Sequence, residues 1–410
     1  MGNPSGAIGL TSSCAVEAAQ IHRYFSPQSW IEGAALEQLK TVAALPGVTS
    51  VAAFPDLHPG KYGPTGIAVL SERLHPQLIG NDIGCGMSLF ALDMPLRKLR
   101  IDRAAERLGE IEAQEVDAQA ALSASGLSSD LFPAALGTIG GGNHFCELQA
   151  VEQTFDAGGA EVVDRRGLYL LVHSGSRGLG AQVFGEIDHQ AAIATGLDPD
   201  SASGKAWLTR HDICVAWASL NRRLIAERAA GALRCGARLV VDVPHNLVRR
   251  SDSGFVHHKG SAAVETGGVA PIAGSRASLS YVVRALDGTG ASLGGISHGA
   301  GRKYDRATMH GRVGRNRSER EALLRNEWGG QLICGDRDLV VEEAATAYKD
   351  AAQVVRDLAD AGLVLPLAAM KPLVTYKKAV DASADRARNK TGRAYRNERR
   401  HGRGGRHERG

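Results

Sequence analysis

An aspartate and a cysteine three positions apart, Asp82 and Cys85, stand in the stretch HPQLIGNDIGCGMSLF (75–90), with Gly80, Gly84 and Gly86 interleaved. Glycine forgoes side-chain packing and carries extra backbone entropy, so this spacing predicts a tight loop between buried strands at 78–79 and 88–92. A carboxylate and a thiolate on one loop are a hard and a soft metal ligand side by side. Taken alone, a turn with a buried cysteine accounts for the pattern equally well.

Histidines add to it. His173 follows the apolar run LYLLV, His245 follows RLVVDVP, His144 sits in GGGNHF (140–145), and His298 sits in GGISHGAGR (294–302). Each falls where a core-like run gives way to a polar or Gly-rich loop, and strand ends are where ligand-binding groups collect. Any one of them is equally readable as a core histidine bonded to a carbonyl. As a set, Asp, Cys and imidazole suit Mn²⁺ or Zn²⁺ better than Mg²⁺ or Ca²⁺. A bridging thiolate flanked by His and Asp can hold two metals, an arrangement used in phosphoryl chemistry. Three Gly-containing loops, 174–178, 274–275 and 299–302, offer backbone N–H groups to an anion, with Arg177 and Arg302 beside them.

The elements that must position these groups read as a mixture. Residues 100–125 predict a helix with Ile101, Ala104, Leu108 and Ile111 on one face, and 342–361 predict a second, ended by Gly362. Buried strands are predicted at 67–70, 168–172, 238–243 and 280–283. Strands and helices alternate without a steady βαβ beat, and no GxGxxG or GxxxxGK[ST] follows a strand. The expected fold is therefore one compact α/β or α+β domain with mixed sheets, spanning 1–378, followed by a separate tail, 379–410.

That tail carries the charge. Residues 386–410 hold ten Lys/Arg against two Glu, whereas the chain as a whole has a net charge of +4. The remainder is thus slightly acidic, and the tail is expected to be disordered and to grip polyanions. Six scattered cysteines without a CxxC pair fit a reducing compartment rather than a disulfide framework. No signal-peptide pattern or run of membrane-spanning length is evident, so a cytoplasmic location is expected.

From about Trp30 to Lys377 the ordered motifs resemble the RtcB family of RNA-splicing and RNA-repair ligases. They are PDLHPGKYGPTG (55–66), GNDIGCGM (80–87), GGGNHF (140–145), HSGSRG (173–178), PHN (244–246), HKG (258–260), GSRAS (274–278), SHGAGR (297–302) and AYK (347–349). The N-terminal segment WIEGAALEQLKTVAALPGV is most like the branch encoded alongside the release-factor homologue PrfH. The resemblance implies GTP- and Mn²⁺-dependent joining of an RNA 2′,3′-cyclic phosphate or 3′-phosphate to a 5′-hydroxyl, by a monomer that needs no membrane. It also implies that the mixed sheets surround a central metal and nucleotide cleft. By position it implies Asp82, Cys85, His144, His173 and His245 as ligands of two Mn²⁺ ions, and His298 as the guanylylated nucleophile. Asn143, Phe145, Glu147, Ser275, Ser280, Gly299, Gly301, Tyr348 and Lys377 would contact the nucleotide, and Arg177 and Arg302 the RNA phosphate. A PrfH-type release factor would be a functional partner. Arg276 and Ala277 stand where the family loop carries Met and Gly, Lys377-Lys378 where it ends in KG, His258 where it has Arg, and Thr346 where it has Pro. Two other functions on the same fold stay open at this level: a non-catalytic RNA- or ribosome-binding protein, and a metal-dependent phosphodiesterase.

Overall fold

Alternation along β2 (Val48–His58) sets the first layer. Val51, Ala53 and Leu57 pack on Leu39 and Val42 of the helix Gly33–Ala43, while Ala52 and Phe54 join the core formed with Val354, Val355 and Leu358 of the helix Ala351–Asp360. Successive side chains of a strand face opposite sides, so one strand serves two cores. The computed structural model describes residues 19–155, 157–187, 192, 194–286 and 290–378. The proposed tail, 379–410, lies outside the described residues.

The first sheet runs in the order β1 (Gln20–Arg23), β2, β3 (Thr65–Ser71), β9 (Gly254–Lys259), β8 (Asn246–Ser251). The second runs β11 (Val269–Ile272), β12 (Ser280–Ala285), β15 (Val364–Lys378), β5 (Phe145–Thr154), β6 (Leu168–Ser174), β4 (Gly86–Leu92), β7 (Ala237–Pro244), with β14 (Gln331–Cys334) pairing β15 in parallel. A short antiparallel pair, β10 (Ser261–Ala263) and β13 (Gly295–Ser297), completes the described strands. The long helix Ala202–Leu233 covers one face of the second sheet, where Ile225, Ala226, Ala229 and Leu233 meet Phe90, Leu168, Leu170 and Val172. Burying a Leu or Ile there contributes about 1.5–3 kcal/mol, and towards its N-terminus the helix is capped by Ser201 and packed through Trp207, Leu208 and Cys214. The mixed α/β expectation holds, and no helix among the described residues is long and apolar enough to cross a membrane.

Three local expectations are corrected. Residues 76–79 form a short helix, not a strand: Pro76 starts it and Gly80, at φ 79°, ends it. The helix expected over 100–125 breaks into Ile101–Gly109, a 3₁₀ turn Ile111–Ala113, and Ala118–Ala124 capped by Asp117. Glu112 causes the break by turning inward to accept from Tyr376 Oη and Ile139 N. The helix expected from 342 starts at Ala351, capped by Asp350, because Glu343 and Tyr348 point inward and hydrogen-bond to each other.

Several histidines are structural struts. His257 Nε2 accepts from His75 N at 2.9 Å, and His211 Nε2 accepts from Val248 N at 2.9 Å. Burial pushes His257 and His258 down to about 3, with His75 adding to the effect on His257 and Arg249 on His258. A depressed folded-state value means the unfolded chain binds more protons once pH falls below the ordinary histidine range. Stability is therefore full above about pH 6.5 and declines as pH drops towards 3. At about pH 5 the loss is roughly 2 kcal/mol for each of the two. Urea midpoints at about pH 7 and pH 5 check this, and equal midpoints refute it.

Candidate active site

Strand register gathers the ligand set at one end of the second sheet. His173 on β6 lies opposite Met87 of β4 and Phe145 of β5, and Gly86 of β4 lies opposite Pro244 of β7. Cys85, His144 and His245 each flank one of these positions, so four adjacent strands deliver four ligand-type side chains to one place. The loop between Ile79 and β4 adds Asp82. Its glycines are required by close approach: Gly84 has φ 75°, and a Cβ there would lie 2.8 Å from the Cα of Val215 on the long helix.

The distances are those of convergent ligands. Cys85 Sγ lies 3.3 Å from both His144 Nε2 and His173 Nε2, and His173 Nε2 lies 3.3 Å from His245 Nε2. Asp82 Oδ2 is 2.9 Å from His144 Nε2. Cys85, His144 and His173 are grouped closely enough to hold a metal ion together. His173 Nδ1 faces the Asn143 carbonyl, an acceptor, so it carries the ring proton and Nε2 presents a lone pair to the cluster. Buried lone pairs facing one another, with a thiol and a carboxylate among them, form a donor set that a soft-to-borderline cation satisfies. The residues therefore fit a metal. Without a cation, burial and then the Asp82 carboxylate push the Cys85 thiol well up. Burial likewise holds His173 and His245 neutral. Burial acts to raise Asp82 too, but His144, with smaller help from Cys85 and Arg177, brings the carboxyl below its ordinary value.

His298 stands next to this cluster, its ring centroid 4.4 Å from that of His245. Its Nδ1 lies 2.8 Å from Asp56 Oδ2 and 2.7 Å from the Gly260 carbonyl. Both partners are acceptors, so Nδ1 carries the proton and Nε2 is left with a free lone pair. Asp56 is fully buried and is itself held by Ser297 Oγ at 2.9 Å. Lys349 donates to the carbonyls of Pro55 and Leu57 on either side of it.

A cleft of about 730 Å³ opens over these groups, a size that suits a nucleotide-sized ligand. Asp82, Cys85, His173, His245 and His298 line it, together with Asn143, Phe145, Glu147, Ser275, Ser280, Gly299, Gly301, Arg302, Tyr348 and Lys377. His144 and Arg177 are not among the lining residues. Arg177 has φ 57° and sits against Gly140, where any side chain would collide with its guanidinium. Gly301, at φ 71°, passes the Asp56 carbonyl so closely that a Cβ would meet it at 2.3 Å. Arg302 donates to Glu343 Oε1 at 2.9 Å and to the Glu342 carbonyl. Lys377 donates to the His144 carbonyl, and its amine is lowered by burial, opposed by nearby Glu343. Glu147 accepts from Thr375 and from Gln149, and burial lifts it to about 7. Arg276, one of the departures from the family pattern, spends its guanidinium on the Glu343 and Val340 carbonyls and so braces the cleft wall.

Sequence reading missed Asp56, Glu343 and the pair Asn221-Arg222. Glu343 binds Arg302, Arg306 and Tyr348, and although burial opposes ionisation, Lys377 and these partners bring it down to about 2. Asn221 and Arg222 are fully buried in the middle of the long helix. Arg222 pairs with Asp242 at 2.7 Å and donates to the carbonyls of Gly84 and Ser174, one beside Cys85 and the other beside His173. Asn221 accepts from Gly137 N and donates to the Thr138 carbonyl, tying in the segment that leads to His144. Arg222→Ala leaves the Asp242 carboxylate with only the Ser88 and Ser219 hydroxyls and no cation, and is expected to destabilise the fold by roughly 3–5 kcal/mol. Arg222→Lys keeps the charge but lacks the fork that spans three partners, and should recover only part of that loss. Chemical denaturation of the three proteins gives the comparison, and an Arg222→Ala midpoint equal to the wild type would contradict it.

The model of the RtcB family, described as tRNA-splicing ligase RtcB, matches residues 38–124 and 105–378. The chain belongs to the RtcB family. Among RtcB relatives, RNA-splicing ligase RtcB2 of Escherichia coli is 39% identical over 362 residues, which cover 86% of this chain and 94% of that protein. RNA-splicing ligase RtcB homolog 1 of Entamoeba dispar is 27% identical, with 83% of this chain and 81% of that protein covered. tRNA-splicing ligase RtcB of Pyrococcus furiosus is 29% identical over 292 residues, 59% of this chain and 30% of that longer protein. RtcB membership makes this protein a ligase of an RNA-joining enzyme family.

Proposed function

We propose that the protein joins RNA 2′,3′-cyclic phosphate or 3′-phosphate ends to 5′-hydroxyl ends, using GTP and two Mn²⁺ ions, through a guanylylated His298. The observation that carries this reading is the placement of His298 Nδ1 against two acceptors, the Asp56 carboxylate and the Gly260 carbonyl. With Nδ1–H held by Asp56 and Gly260, the lone pair of Nε2 is free to attack, and Asp56 stabilises the positive charge that the ring gains as it does so. Nε2 forms a bond to the α-phosphorus of GTP as the bond to pyrophosphate breaks. Where the RNA ends in a 2′,3′-cyclic phosphate, water first adds at phosphorus as the P–O2′ bond breaks, leaving a 3′-phosphate and a 2′-hydroxyl. An oxygen of that 3′-phosphate then takes the GMP from Nε2, giving RNA-(3′)pp(5′)G. Attack by the 5′-hydroxyl on the RNA phosphorus forms the phosphodiester and releases GMP.

Asp82, Cys85, His144, His173 and His245 would hold the Mn²⁺ ions. Bound there, the metal supplies charge neutralisation for phosphoryl transfer and Lewis-acid activation. Glu147, at the cleft wall, offers acceptors to the N1 and N2 donors of guanine, which adenine lacks, and so favours GTP over ATP. Ser275, Ser280, Tyr348 and Lys377 line the same cleft and would complete the nucleotide site, with Arg302 and Arg177 serving the RNA phosphate. The basic segment 386–410 adds a sequence-independent grip on RNA. The setting fits cytoplasmic RNA repair or tRNA processing by a monomer, linked to a PrfH-type release factor by the resemblance of the N-terminal segment.

The test is incubation with α-labelled GTP and Mn²⁺ followed by denaturing electrophoresis, and then ligation of oligonucleotide pairs bearing a 3′-phosphate or a 2′,3′-cyclic phosphate on one strand and a 5′-hydroxyl on the other. Covalent label and a joined product are expected. A protein that binds RNA without taking label would be a binder, and one that only opens the cyclic phosphate would be a phosphodiesterase.

A further inference from the structure

We infer that the exposed ring of Trp30, flanked by Tyr304, stacks a nucleobase of single-stranded RNA at the lip of the cleft, an assignment that rests on the RNA-ligase reading above. Of the four tryptophans, Trp207 and Trp217 are buried and Trp328 is half-buried, whereas Trp30 is 50% exposed. A lone surface aromatic means little. This one has company: its ring centroid lies 6.4 Å from that of Tyr304, and Lys303 Nζ lies 4.8 Å from the Trp30 centroid. Arg312 stacks over Tyr304 at 3.8 Å. Two members are tied to the cleft wall: the backbone N–H groups of Lys303 and Tyr304 both donate to the Ala347 carbonyl, next to Tyr348.

Position gives the occupant. Lys303 and Tyr304 line the cleft and follow His298 by five and six residues, so a strand whose end lies at His298 would leave the cleft across them. Aromatic faces interleaved with cations are the chemistry by which proteins hold unpaired bases without regard to sequence, with the rings taking the base and the cations the phosphate. Glu32 and Asp305 at the same lip are the acidic groups nearby, and they would repel a phosphate that strays from the Lys303–Arg312 side.

Tryptophan emission is the signature. Titration of the metal-free protein with a short unstructured RNA should quench fluorescence saturably, and Trp30→Phe should abolish that quench while retaining most of the affinity. Trp30→Ala should weaken RNA binding and raise the KM for RNA about tenfold, the effect of one stacked base. Separate oligonucleotides bearing a 3′-phosphate or a 5′-hydroxyl identify which strand supplies the base. Unchanged RNA affinity and KM in Trp30→Ala overturn the platform, whatever the quench. Labelling by GTP needs no RNA, so its absence from the wild type would instead count against the ligase reading.

Discussion

His298→Ala should take no label from GTP. Loss of the nucleophile removes the step itself, and the expected fall is on the order of 10⁴-fold or more, which puts the product below detection. Mn²⁺ binding should persist, because Nδ1 of His298 is committed to Asp56 and Gly260 and the ligand cluster is built without it. The fold should also feel the change: the fully buried Asp56 keeps Ser297 but loses its ring partner, at a cost of about 1–3 kcal/mol. The measurements are covalent label, metal stoichiometry and thermal stability on one preparation. Label retained in the mutant removes His298 from the mechanism. Metal lost together with the label would make His298 a ligand.

Cys85→Ala should lose metal and ligation together. Cys85 Sγ is the shared neighbour of His144 and His173, each at 3.3 Å, so its removal takes out the centre of the cluster and not one edge. A drop in Mn²⁺ affinity of about 10²-fold or more is expected, beyond the loss from disturbing a residue behind the ligands. The metal-free protein should be little affected, since alanine fits the space of a buried thiol with only a small void. Cys85→Ser retains a harder donor and should bind weakly. Calorimetric titration with Mn²⁺ separates the three proteins. Two equivalents bound by Cys85→Ala, with normal ligation, would reduce the Asp82–Cys85 loop to a turn.

The residues that face the cleft were legible because they sit in short local patterns. A histidine placed at a strand end is announced by the apolar run before it, as with LYLLV before His173 and RLVVDVP before His245. Glycines at 80, 84 and 86 announce a loop pressed against other backbone, and the long helix does lie against Gly84. Motif order was enough to point to the family. Local pattern fails where a residue's partner is distant in sequence. Arg222 and Asn221 look like an ordinary polar stripe on a helix, and their partners at Gly84, Gly137, Ser174 and Asp242 are 20 to 138 residues away. Asp56 reads as a turn residue until β13 sets Ser297 and His298 beside it, 241 and 242 residues along the chain. Glu343 reads as a helix-surface acid, and only the convergence of Arg302, Arg306, Tyr348 and Lys377 pulls it inward and delays the helix to Ala351. The sequence by itself determined which side chains bear lone pairs and charges, and which apolar runs lead to them. Tertiary structure decided which of them meet, because a buried charge or imidazole takes its role from partners that long-range folding brings within hydrogen-bonding or ion-pairing reach.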